Sequence, residues 1–172
     1  AGKSTLASTL LQMGYPLVSD DVIAVSLTKE NPTPYVIPAY PQQKLWQESL
    51  DHFGMDSSQY RPLAQRETKF SVPVSVNYWP NPLPLAGVFE LSAEDRDNIE
   101  IKCAAKLESL PILYHHTFRN MLIGRFGLQA WHFETTAKLA GGINVYRIQR
   151  PVATFTAPDI ASMILNIIKK DG

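Results

Sequence analysis

Cysteine is almost absent from this chain. Cys103 stands alone among 172 residues, so no internal disulfide can form and the composition fits a reducing compartment. As a small apolar residue inside an extended run, Cys103 itself reads as ordinary filling. No apolar run approaches the roughly twenty residues that a membrane span needs, and no secretory leader is evident. Charge of one sign is missing as well. Sixteen basic residues face sixteen acidic ones, which gives bulk electrostatics no means of holding nucleic acid or an anionic membrane. There is no internal repeat and no low-complexity tract. What remains is the profile of one cytoplasmic α/β domain spanning residues 1–172, of ordinary size and long enough to bury a real core.

The informative stretch is the first. Ala1-Gly2-Lys3-Ser4-Thr5 reads as the closing half of a phosphate-binding loop, G-x-x-x-x-G-K-[ST], whose first glycine would fall before residue 1. In such a loop Lys3 reaches the β- and γ-phosphates of ATP, the Ser4 hydroxyl ligates Mg2+, and the amides of residues 1–5 face the anion. A plain N-capped helix beginning G-K-S-T is the simpler alternative. Leu6, Leu10 and Met13 then recur with helical spacing until Gly14, and Tyr15 to Ser19 reads as a strand that ends at Asp20-Asp21.

Distance arithmetic ties the two ends together. A helix of roughly ten residues travels about 15 Å from the phosphates, and a strand of roughly five travels about 16 Å back. The carboxylates therefore return to the lysine. Phosphoryl transfer needs a magnesium ligand and a group that orients or deprotonates the attacking hydroxyl, and neighbouring strand residues point to opposite faces, so the pair can divide those tasks. A polar turn between two apolar strands would also hold Asp-Asp; the coupling to G-K-S-T favours catalysis.

Gly2-Lys3-Ser4-Thr5 followed by Leu17-Val18-Ser19-Asp20-Asp21-Val22-Ile23-Ala24-Val25 resembles the HPr kinase/phosphorylase superfamily. Pro41 to Trp46, Arg61-Pro62-Leu63, Glu67 to Phe70 and Val145 to Ile148 are similar, more loosely, to HPr-kinase-like proteins found beside peptide-modification genes, including lasso-peptide tailoring kinases. The R-G-x-G-like segment that HPr kinases carry after the Asp pair has no counterpart between Val22 and Pro41. The resemblance implies a P-loop kinase domain with a mixed sheet and flanking helices, of the HPr kinase and phosphoenolpyruvate carboxykinase type. It implies ATP and Mg2+ as cofactors, a serine of a peptide or small protein as acceptor, and assembly into homo-oligomers. In site terms it implies Asp20 as general base, Asp21 with Ser4 on magnesium, and Lys3 on the phosphates.

Further along, Val22 to Leu27 reads as a central strand, Lys29 to Pro34 as its turn and Tyr35 to Pro38 as a hairpin partner. Pro41 is expected to start a helix with a stripe of Leu45, Trp46, Leu50 and Phe53, ended by Gly54, with Trp46 in the core. Arg66 and Lys69, with Arg61, could meet phosphate or an acceptor, or simply form a solvated basic edge. Asn77 to Pro84 reads as a rigid, proline-rich connection, Leu85 to Leu91 as a buried strand and Asn98 to Cys103 as a strand with one wet face. Helices are expected over 104–110, 112–123 and 128–139, a strand over 144–148, and a last helix capped by Thr156-Ala157-Pro158-Asp159 with a stripe from Ile160 to Ile168. His116 reads as a half-buried polar residue and Arg119 as a nucleotide contact; adjacent histidines on a helix diverge, which argues against a metal there. The competing functions are a small-molecule kinase of the adenylylsulfate or nucleoside type, though Val22-Ile23-Ala24 directly after the Asp pair offers no arginine, and a non-catalytic ATP-binding regulatory module.

Overall fold

A computed structural model describes residues 2–28, 33–63 and 66–171, with only the backbone of Arg66, Glu67 and Asp171. Ala1 and most of the turn expected over 29–34 lie outside the described residues. The architecture is mixed α/β, with small sheets and flanking helices.

Helix α1 (Lys3–Gln12) begins at Gly2, whose φ of 90° is open to glycine at little cost. Gly14, at φ 92°, ends it. Its buried residues are Ser8 and Thr9, whereas Met13 is exposed, so its inner face is less apolar than the leucine spacing suggests. Tyr15 to Ser19 is not a laddered strand: Leu17 makes an isolated parallel bridge to Tyr78, and the Val18 carbonyl accepts the Ala39 amide at 3.1 Å. The carboxylate pair follows on a tight turn, where the Val22 amide donates to the Asp20 carbonyl at 2.7 Å.

Three sheets follow. β1 (Ala24–Ser26), β2 (Tyr35–Ile37) and β6 (Leu83–Pro84) form an antiparallel set in the order β1-β2-β6. The hairpin partner is where it was expected. The strand before it is not central, because β1 is an edge strand that leaves Val22, Ile23 and Val25 exposed. β3 (Gln42–Trp46), β4 (Arg61–Leu63) and β5 (Arg66–Pro73) form the second sheet, in the order β3-β5-β4. The helix expected from Pro41 is thus a strand first, and only Gln47–His52 is helical (α2). The reason is tertiary: five residues of β3 pair with β5, and Gln43 and Leu45 alternate inward with period two. Trp46, expected in the core, is consequently outside.

In the third sheet β7 (Gly87–Glu94) runs parallel to β9 (Asn144–Pro151), and β8 (Glu100–Cys103) runs antiparallel to β9 on its other side. The crossover between β8 and β9 carries α3 (Lys106–His116), α4 (Met121–Arg125) and α5 (Gln129–Gly142). Helix α3 runs through Pro111, where a break was expected. The carbonyl that Pro111 leaves without a partner belongs to Leu107, which faces water. Helix α6 (Ala157–Asp171) closes the chain.

Two apolar clusters hold these pieces. Leu45, Leu50 and Val72 pack with Met55, Tyr60 and Phe70 under the second sheet. Ile148, Ile160 and Ile164 pack with Leu6, Phe89, Leu91, Ile99 and Ile101, joining α6 and α1 to the third sheet. Helix α1 lies between them, because Leu6 joins the second cluster while Ser8 donates to Gln43 Oε1 of β3 at 2.7 Å. Among the described residues no helix is long and apolar enough to cross a membrane.

Candidate functional site

The first turn of α1 carries neither a side-chain cap nor an acidic residue. The positive end of its dipole is therefore not offset from within the helix, which suits an anion. Lys3 is exposed and Ser4 and Thr5 are half-buried; the Thr5 hydroxyl lies 2.8 Å from that of Ser49, tying the turn to α2.

The carboxylates come to β3. Asp20 Oδ2 accepts the backbone amide of Lys44 at 2.9 Å. Asp21, at φ 60°, sits in the left-handed region that Asp tolerates better than most residues, and its Oδ2 takes the Lys44 ammonium at 2.6 Å. The two environments push the groups apart. Burial raises the Asp20 carboxyl above its ordinary value, against the Lys44 amide bond, with the Asp21 charge adding to the rise. The Lys44 hydrogen bond lowers Asp21, and the ammonium groups of Lys44, Lys69 and Lys3 pull the same way. Lys44 is raised in turn by its bond to Asp21. Lys3, Lys44 and Lys69 thus all act on Asp21, and of the three Lys44 also acts on Asp20. Lys69 faces Trp46 across β3 and β5, with its ammonium 5.4 Å from the ring centre.

The difference between the two carboxylates does not come from strand alternation, since the residues occupy a turn. It comes from burial, which raises Asp20, and from the Lys44 ammonium, which lowers Asp21. Lys44 was not singled out from sequence, although it lies in the Pro41-to-Trp46 segment. Arg150 was missed too. A Cβ built at Gly2 would stand 3.6 Å from its Nη2, so this guanidinium lies against the opening of α1. No local pattern marks it, because it arrives from β9, at the far end of the chain.

Beside this cluster lies a groove of about 610 Å3, lined among others by Gly2, Thr5, Trp46, His52, Arg150 and Phe155. The size falls within the roughly 300–1,000 Å3 of small-molecule sites. His52 and Phe155 stack with ring centres 4.3 Å apart. Lys3, Ser4, Asp20 and Asp21 do not line the groove, whereas Gly2 and Thr5 of the helix opening do.

The donor set suits magnesium in kind, since Mg2+ takes hydroxyl and carboxylate oxygens, one or two from protein and the rest from phosphates and water. Among the described residues no three His, Cys, Asp or Glu side chains gather into a metal-binding group. Asp21 would have to exchange Lys44 for the cation. Of the other residues singled out, Arg66 has no described side chain. Arg119 does not join the cluster: it sits between α3 and α4 at φ 52°, with its guanidinium 5.1 Å over Phe118. His116 is exposed, not half-buried, and bonds Glu90 at 2.9 Å. Comparison with models of known protein families, with curated proteins and with solved structures finds no match to this chain.

Proposed function

We propose that the chain is an ATP-dependent kinase of the P-loop, HPr-kinase-like type, transferring the γ-phosphoryl group to a serine hydroxyl of a peptide or small protein. This reading is supported by the acidic pair gathered on Lys44 of β3, whose member Asp21 also feels the charge of Lys69 and of Lys3 from the uncapped G-K-S-T opening. Phosphoryl transfer asks little of covalent chemistry and much of positioning and charge neutralisation, and these groups supply both.

In this mechanism Asp20 accepts the proton of the attacking hydroxyl. Its raised affinity for protons brings it closer to a useful base than an ordinary exposed carboxylate. Lys3 and the amides of the first turn of α1 offset charge on the phosphate oxygens. Asp21 and Ser4 would hold magnesium, which when bound neutralises charge on the phosphates. The groove beginning at Gly2 gives the nucleoside an aromatic and cationic wall.

Labelled ATP incubated with serine peptides, HPr and small hydroxyl compounds tests the proposal. Transfer to a peptide or protein serine supports it, and transfer to a small molecule alone moves the chain to the small-molecule kinases. Nucleotide binding without any transfer leaves a regulatory module, and no binding at all removes the reading.

A further inference from the structure

Helices α3, α4 and α5 enclose a second pocket, of about 350 Å3, far from the acidic pair in sequence and built from other elements. Leu110, Tyr114, Ile123, His132, Phe133 and Thr136 wall it, and nearly all of them present carbon. The polar member is restrained: the Thr117 hydroxyl lies 2.8 Å from His132 Nε2, and the Tyr114 ring meets that imidazole edge-on at 5.4 Å. The same helices and their joining turn expose Phe118, Met121, Phe126 and Trp131, each at least 60% accessible. Single exposed apolar side chains are common, but so many large ones on one short run of helices mark an interaction surface.

Charge decides what the surface receives. Between Ser109 and Phe133 the chain has no Asp or Glu. Arg119 and Arg125 are exposed and make no ion pair among the described residues. The acids flanking this stretch are already engaged, Glu108 by the Ala105 amide at 3.1 Å and Glu134 by Lys138 at 2.6 Å. A second copy docked face to face would bring arginines together with no carboxylate from either stretch to offset them. A partner that is apolar in the middle and acidic at the sides has no such cost. We infer that the α3–α5 face docks an acidic amphipathic helix of a partner protein, its apolar stripe entering the pocket between Tyr114 and Phe133 and its carboxylates meeting Arg119 and Arg125, exposed on the same helical run. The inference does not depend on the kinase reading.

The probe is a labelled synthetic helix of about five turns with leucines at i, i+3, i+4 and i+7 and glutamates elsewhere, set against a counterpart with lysines in place of the glutamates. Anisotropy titration of the whole chain should show the acidic helix binding about tenfold or more tightly at low salt, with the advantage shrinking as salt rises. Arg119→Glu with Arg125→Glu should reverse the order, and Phe133→Ser should weaken both peptides; all three positions are exposed, so the fold is not at stake. Equal affinity for the two peptides, no binding of the acidic one at about 1 mM, or indifference to the arginine changes would overturn the inference. So would a concentration-dependent dimer abolished by Phe133→Ser, or binding to phosphatidylserine vesicles in place of the peptide.

Discussion

Lys44 holds Asp21 by its ammonium at 2.6 Å and at the same time presents its backbone amide to the neighbouring Asp20 at 2.9 Å. Burial raises Asp20 against the pull of that amide, while the Lys44 ammonium lowers Asp21, so Asp21 stays ionised and Asp20 has the greater appetite for a proton. Where environments push like groups apart, acid–base roles divide along the same line.

The first prediction concerns Asp20. Asp20→Asn keeps an oxygen for the Lys44 amide and removes the base, so the fold and nucleotide binding should survive. Transfer should fall by about 10²–10⁴-fold, the usual worth of a positioned proton acceptor. Labelled-ATP turnover beside a nucleotide titration separates the effects. Unchanged turnover with intact binding would remove Asp20 from the mechanism.

pH should act on the pair in opposite senses. Asp21 is lowered, so its ionised pair adds stability above the ordinary value of 3.8, and that stability is lost as pH falls through the depressed folded value. Asp20 is raised, so its contribution runs the other way: it is present below 3.8 and is lost as pH climbs through the elevated folded value. The acid limb of activity should follow Asp20 and lie above 3.8. Side-chain carboxyl NMR through the titration reads both groups. In Lys44→Met the Asp21 midpoint should move up towards 3.8, while stability changes little, because both partners of the pair are partly exposed.

The reckoning by rise per residue that returns the acidic pair to Lys3 assumed a strand over Tyr15 to Ser19, and that stretch is not laddered. Legible in the sequence were α1 to its glycine stop, the β1–β2 hairpin and part of the stripe of α6, in which Ile160 and Ile164 are buried but Met163 and Ile168 are exposed. Gln42 to Trp46 was misread because five residues following a proline carry too little periodicity to tell a helix start from a strand; the β5 partner that decides the matter lies about twenty-five residues on. Trp46 went with it, since a residue's side in a strand depends on that pairing. Pro111 misled in the other direction, because whether a helix tolerates proline depends on whether water can reach the freed carbonyl. Lys44 and Arg150 had no local signal at all, their roles being made by chain crossings that spacing does not encode.

Ile148 is fully buried at the centre of the third sheet, and its cluster joins α6 and Leu6 of α1 to that sheet. Ile148→Ala should cost about 2–5 kcal/mol through lost burial and the cavity left behind. At about 2–4 °C per kcal/mol for a domain of this size, the thermal midpoint should drop measurably in calorimetry. The exposed Ile23→Ala should leave it nearly unchanged.

Ser8 and Gln43 test how α1 is held beside β3. Both are buried, the Ser8 hydroxyl donates to Gln43 Oε1 at 2.7 Å, and Gln43 Nε2 has no partner among the described residues. Ser8→Ala alone strands the remaining amide oxygen and should cost about 1–3 kcal/mol, the penalty of a buried polar atom left unmade. Gln43→Leu alone strands the serine hydroxyl but removes an amide nitrogen that already lacks a partner, so it should cost less than Ser8→Ala. The pair Ser8→Ala with Gln43→Leu leaves neither orphan and should recover most of the loss, giving a coupling of about 1 kcal/mol or more in a denaturant-based double-mutant cycle. Strictly additive losses would mean that the two side chains do not act together, and that Leu6 and the α6 cluster alone set the position of the helix.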